Sequence, residues 1–192
     1  SNATGLTTIA VSDTTIEADA LAARIDSFDE INGENKTTGM TLVSEATINV
    51  ASTEITALLA DETALRVAIE DQDINVDSGT ISVDTANDLD ATTDGTITAA
   101  ITTSETVTEL KTLTGTHAYT IVIAGGDATS SSADDLNTIN GKTTEAVSLA
   151  NVTALSSSSL SDLETLATAI GDNEFSNATG LTTIAVSDTT IE

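Results

Sequence analysis

Apolar positions along the 192-residue chain follow two alternating spacings. Short runs alternate apolar with polar: Ile9/Val11, Met40/Leu42, Ile74/Val76 with Ile81/Val83, Ile97/Ala99/Ile101, Ile121/Ile123 and Val147/Leu149. That period of two predicts strands with one covered face. Between them come helical spacings. Leu21, Ile25 and Phe28 fall at i, i+4, i+7; Leu163, Leu166 and Ile170 at i, i+3, i+7; Leu110/Leu113 and Leu136/Ile139 make one turn each. The longest candidate helix runs from Ile55 through Leu58, Leu59, Leu65 and Ala68 to Ile69. Asn32-Gly33, Asp94-Gly95, Gly125-Gly126 and Asn140-Gly141 supply turns between the two kinds of element.

Four of the helical segments open with a hydroxyl residue and an acid three positions on: Thr85/Asp88, Thr106/Glu109, Ser132/Asp135 and Ser159/Asp162, each followed by Leu. The hydroxyl can accept from a free N–H of the first turn, and the acid suits the positive end of the helix dipole. Glu17 before Leu21 and Ala51 before Ile55 hold the equivalent places with weaker caps. Residues 21, 55, 89, 110, 136 and 163 are therefore the anchors of six strand–helix coils.

A longer recurrence frames these coils. The first 17 residues, SNATGLTTIAVSDTTIE, return without change as Ser176–Glu192, an offset of 175 residues. Residues 1–175 then form one full period of about six coils, and 176–192 begin the next. Ser1-Asn2-Ala3 matches a protease-tag scar, and its return at Ser176-Asn177-Ala178 favours native sequence; an engineered duplication would read the same.

A unit of strand, turn, short helix and turn cannot bury its apolar stripe alone, but a stack of such units can. Strands joined through helices run parallel with right-handed crossovers. The fold expected is α/β: a right-handed repeat solenoid with a parallel sheet and short helices on each coil. A parallel β-helix is the alternative where the helix shrinks to a turn. With strands about 4.8 Å apart, six coils advance roughly 29 Å per period.

Composition narrows the function. Thr supplies 38 residues and Ser 19, aromatics reach 2%, and Pro, Cys and Trp are absent. A core without large rings must be filled by Ile, Leu, Val and Ala in similar layers, which suits stacking. The formal charge of −26 opposes binding to nucleic acid or anionic membrane. No apolar run approaches the roughly 18–20 residues of a membrane span, so no membrane insertion is expected. Excess acid with Thr-rich strands suits an extracellular or cell-surface setting, where salt screens self-repulsion.

Candidate chemistry is sparse. His117, before the Ile121/Ile123 run, is the lone histidine; with no second His and no Cys it reads as a turn residue half-covered by Tyr119 rather than a base or metal ligand. Carboxylates near turns make a weak calcium site the stronger candidate: Asp71, Asp73 and Asp77, then Asp88, Asp90 and Asp94. Hard oxygen ligands suit Ca²⁺, although neither group has EF-hand spacing. Gly125-Gly126-Asp127 is similar to a fragment of the calcium-binding nonapeptide repeat without its periodic copies. Thr pairs such as Thr96/Thr98, Thr106/Thr108 and Thr112/Thr114 bunch in two coils rather than forming an ice-binding array, and β-propensity explains them. Asn2, Asn35, Asn151 and Asn177 lie in N-x-[ST] sequons.

The stretches ADDLNTINGKTT (133–144) and LSSSSLSDL (155–163) resemble the Thr/Ala/Asp-rich tandem repeats of very large secreted or cell-surface proteins of cyanobacteria and other marine bacteria. The resemblance implies an adhesin, sheath, matrix or filament role and offers no catalytic residues. The expectation is a structural repeat unit, not an enzyme, that continues end to end through strands at 7–16 and 182–191. A calcium-dependent adhesin or ligand-binding module is the alternative. An enzyme on a β-helix scaffold would need a sugar-binding cleft, for which five basic and few aromatic residues are poor material.

Overall fold

The computed structural model describes residues 9–32, 40–63 and 67–188. Along them short strands and helices alternate. The order begins β1 (Ile9–Val11), β2 (Thr15–Glu17), α1 (Ala18–Asn32), β3 (Met40–Leu42), β4 (Thr47–Ala51), α2 (Ile55–Thr63), β5 (Val67–Ala68) and β6 (Asp73–Ser78). It continues with α3 (Val83–Asp90), β7 (Ile97–Ala100), α4 (Val107–Leu110), β8 (Ala118–Thr120), α5 (Ala133–Asn140) and β9 (Val147–Ser148). Last come β10 (Ala154–Ser158), α6 (Leu160–Gly171), β11 (Phe175–Ser176) and β12 (Thr183–Val186).

The protein is a mixed α/β structure. Its central sheet has five parallel strands in the order β2-β4-β6-β7-β8. A second sheet, β1-β3-β5, and the pairs β9-β11 and β10-β12 are also parallel. Parallel neighbours cannot be joined by a tight hairpin, and the short helices lie in the crossovers that this pairing demands. The chain divides into two compact units, one within Ser1–Thr80 and Asp88–Thr98, the other within Ile81–Asn87 and Ala99–Glu192.

In the first unit the strand register lines up like with like. Ile16, Ile48, Ile74 and Ile97 occupy matching positions on successive strands, and all four are buried. Each such side chain contributes about 1.5–3 kcal/mol by leaving water. Beside this column Glu17, Asn49, Asn75 and Thr98 stand in register. Asn75 Nδ2 donates to Asn49 Oδ1 at 2.9 Å, and Asn49 Nδ2 donates to Glu17 Oε1 at 2.8 Å. An amide carries both donor and acceptor, so it can pass a hydrogen bond from strand to strand. The turn before β7 sits hard against its neighbour: a Cβ at Gly95 would meet the Gln72 carbonyl oxygen at 2.2 Å. Buried Thr93 fixes that approach, its Oγ1 donating to Gln72 O at 2.6 Å and accepting from Gly95 N–H.

In the second unit the helices start on local caps. Thr106 with Glu109 and Ser132 with Asp135 form capping boxes on α4 and α5, and the Ser159 hydroxyl accepts from Asp162 N–H on α6. α5 packs on both α4 and α6. Thr143 repeats the task of Thr93: buried, its Oγ1 donates to Tyr119 O at 2.7 Å and accepts from Glu145 N–H. The buried set Val83, Ala86, Leu89, Thr93, Ile97 and Ala99 returns as Ala133, Leu136, Ile139, Thr143, Val147 and Leu149.

Several boundaries differ from expectation. Of the helix predicted over 55–69, Ile55–Thr63 is helical and residues 64–66 lie outside the described residues, while Val67–Ala68 is a strand, because buried Val67 pairs with Met40 in β3. Among the described residues the longest helix is instead α1. Val83 opens α3 rather than extending a strand, and the cap of α3 is Ser82, whose hydroxyl accepts from Thr85 N–H. Thr85 therefore lies one turn inside the helix. Ile121 and Ile123 are buried outside regular strand, with β8 lying just before them. Within the strand expected over 7–16 the described residues form β1 and the start of β2, and within that over 182–191 they form Thr183–Val186; residues 7–8 and 189–191 lie outside the described residues. Gly33, Asn35 and Leu65 lie outside the described residues, as does the side chain of Phe28.

Gly95→Ala is expected to lose about 3 kcal/mol, because the intruding methyl meets backbone rather than a movable side chain. Gly126→Ala, where a Cβ has nothing within 4 Å, should stay within about 0.5 kcal/mol of the parent. Urea denaturation of the two variants checks this contrast.

Candidate functional site

The six aspartates proposed for calcium separate into two sets. Asp71, in the turn after β5, Asp73, at the start of β6, and Asp94, in the turn before β7, line one open cleft of about 520 Å³. Ser44, Glu45, Gly95 and Thr96 complete it. Asp77 lies exposed one residue before the end of β6, and Asp88 and Asp90 ride on α3; none of these three lines the cleft. Asp73 Oδ1 accepts from Thr96 N–H at 2.7 Å, which commits part of its carboxylate to holding the turn. Glu45 adopts a left-handed backbone with φ of 61°, and nothing in the linear spacing assigned it to this cleft. Among the described residues no group of three or more His, Cys, Asp or Glu side chains is arranged to hold a metal ion.

His117 is buried against Tyr119, ring centroids 5.5 Å apart in an edge-to-face contact. Its carbonyl accepts from Thr144 N–H at 2.9 Å. The side chain thus belongs to the core, more deeply covered than a turn residue. Asp127, in the Gly-Gly-Asp turn, accepts from Val107 N–H at 3.1 Å.

That last bond belongs to a series. The first N–H of α3, at Val83, donates to Glu105 Oε1 at 3.3 Å; that of α4, at Val107, to Asp127 Oδ2. The first N–H of α5, at Ala133, donates to Ser158 Oγ at 2.9 Å, and that of α6, at Leu160, to Asp188 Oδ2 at 2.6 Å. Four helices in succession therefore have an orphan N–H satisfied by an acceptor 20–28 residues later in the chain. Local capping rules do not reach that far, and linear spacing gave no sign of it.

Asp188 is the copy of Asp13 in the 17-residue duplication, and the two copies differ in their partners. In the first, Ile9, Ala10 and Val11 pair with Met40, Thr41 and Leu42 of β3, a strand later in the chain. In the second, Thr183 and Ile184 pair with Ala154 and Leu155, and Val186 with Ser158, on the earlier strand β10. Each copy has one pairing edge in use among the described residues. Exposure follows: Val11 is 9% exposed, whereas Ile184 and Val186 are 53% and 44% exposed. Asp13 meets the Arg24 guanidinium at 3.1 Å, and Asp188 meets Leu160 N–H.

Comparison with protein-family models, curated proteins and solved structures finds no match.

The electrostatics of the helix row centre on Lys111 and Asp135, which form an ion pair between α4 and α5. Burial alone would raise the Asp135 pKa. Hydrogen bonds from Lys111 and from the Ser132 N–H and hydroxyl outweigh it and hold the carboxyl below its usual 3.8. The same pair raises Lys111 above 10.5. A depressed acid stabilises the fold fully above its unfolded pKa and loses that contribution as pH falls through the folded value. Asp135→Asn should cost about 1 kcal/mol at pH 7 through the damaged cap and lost pair. The gap to the parent should close as pH drops through the folded-state value, which denaturation at a series of pH values measures.

Proposed function

We propose that this chain is a structural repeat unit of a long extracellular filament, stalk or matrix protein, built as a right-handed α/β solenoid. Where the helix is only a turn, as at α4, the coil approaches a parallel β-helix. The observation that carries this reading is that the two identical segments pair in parallel with different neighbours, Ile9–Val11 with the later strand β3 and Thr183–Val186 with the earlier strand β10. A strand bonded to β10 on one side and to β3 on the other is an interior strand of a continuing sheet. Covalent continuation at the 175-residue offset would place it there. The matched Ile and Asn columns, the recurring buried set and the row of helix N–H groups satisfied from later in the chain support the same reading. Resemblance to large bacterial surface proteins supports the location, and the acidic charge supports partners other than nucleic acid or anionic membrane. Among the described residues no helix is long and apolar enough to cross a membrane. A non-enzymatic role fits the scarcity of His and Cys.

Chains of one, two and three periods give the test. Their maximum dimension in X-ray scattering should grow linearly by about 29 Å per period. Growth as the cube root of mass would overturn the solenoid.

The cleft of Glu45, Asp71, Asp73 and Asp94 favours a second reading, a calcium-dependent adhesin or ligand-binding module. It predicts heat of Ca²⁺ binding and a raised Tm, both lost in Asp71→Asn/Asp94→Asn. Calorimetry without binding heat and an unchanged Tm would remove it.

A further inference from the structure

We propose that a groove between α1 and α2 receives a lysine side chain from an apolar, basic segment of another protein. Both walls belong to the first unit, and the inference depends on neither the solenoid nor the calcium reading. The groove has a volume of about 290 Å³. Ala18, Leu21 and Ala22 of α1 face Ala57 and Leu58 of α2 across it, giving an apolar lining. Asp19, Glu54 and Asp61 complete the lining, and no basic side chain contributes to it among the described residues.

Later helices show what such a place takes. Counted from the helix start, the fifth residue of α3, α4 and α5 is a donor that reaches the following coil. Asn87 Nδ2 donates to the Thr112 carbonyl at 3.1 Å, Lys111 Nζ to Asp135 Oδ1 at 2.5 Å, and Asn137 Nδ2 to the Asp162 carbonyl at 3.0 Å. In α1 the fifth residue is Ala22, which has no donor to offer. The acceptor is nonetheless present. Glu54 Oε2 accepts from Ala51 N–H at 3.3 Å, three residues back, as Asp135 Oδ2 accepts from Ser132 N–H at 3.0 Å. Asp135 gives its second oxygen to Lys111, whereas Glu54 Oε1 makes no hydrogen bond or ion pair among the described residues. The ammonium that α4 supplies to α5 is the one that α1 does not supply to α2.

Lysine answers both parts of the groove. Its methylene stem lies along the alanine and leucine surface while the ammonium reaches the acidic rim. One uncommitted oxygen on Glu54 suits a point donor. An arginine fork needs two oxygens for its paired bonds, and Ala51 already holds one of them. Apolar neighbours of the lysine add burial against the exposed Ala57. A second copy of this chain is a poor occupant, because two surfaces that each carry a charge of −26 repel.

The test titrates the end-capped tripeptide Leu-Lys-Leu into the full chain and follows methyl chemical shifts by NMR. Binding should saturate with a Kd on the order of 1 mM and move the methyls of Leu21, Ala22, Ala57 and Leu58. Norleucine in place of the lysine keeps the stem without the ammonium and should weaken binding about fivefold. Glu54→Gln keeps an acceptor for Ala51 N–H and should weaken Leu-Lys-Leu by the same factor. Ala22→Lys should supply the ammonium from within, raising Tm and excluding the peptide; in a Glu54→Gln background it should leave Tm unchanged. Equal binding of the norleucine peptide, unchanged binding in Glu54→Gln, or shifts spread over carboxylates elsewhere overturns the proposal. Movement of the same methyls with protein concentration alone also overturns it, because the occupant is then a second copy.

Discussion

A helix begins with backbone N–H groups that have no partner within the helix, and water or a cap must satisfy them. Here the first of these groups on α3, α4, α5 and α6 is satisfied by Glu105, Asp127, Ser158 and Asp188, each well beyond the helix it serves. The starts of these four helices are complete only when a later segment arrives. The same dependence holds for the strands, whose N–H and C=O groups reach parallel neighbours rather than hairpin partners. Asn49 extends it to side chains by bonding toward both Glu17 and Asn75. Interactions of this kind couple each segment to its neighbours along the chain, so a change in one acceptor is felt at the helix start it serves.

How much of this could be read from the residues depended on how local each interaction is. The caps at Thr106, Ser132 and Ser159 were legible because hydroxyl and acid lie within one turn of each other. The start of α3 was misplaced because Ser82 lacks an acid three residues on, while Thr85 has one at Asp88. The structure makes Ser82 the cap, and Glu105 adds an acceptor from far along the chain. Strand β10 gives little signal because it is Ser-rich, with few apolar residues to set a period. In β4 the alternation rests on the single pair Ile48/Val50, too short to stand out from the Thr-rich sequence around it.

The acidic candidates show the same division. Asp71 and Asp73 were close enough in sequence to be grouped, and turn geometry brings Asp94 to them with Glu45. Asp88 and Asp90 were drawn in by spacing alone, but they ride on α3. Duplication of 17 residues is plain in the sequence, yet the different pairing partners of the two copies appear only in three dimensions. Buried threonines Thr93 and Thr143 were likewise indistinguishable from the many exposed ones until their hydroxyls were seen spanning neighbouring turns.

The central claim is that the repeated strand is an interior strand whose second edge is meant to be filled. Amide hydrogen exchange reports that edge directly. In a chain extended by one further period, those amides of Ile184, Ala185 and Val186 that face away from β10 should slow to the rate of Ile48 and Ile74 in the central sheet. Exchange at those amides as fast as in the 192-residue chain would contradict the account.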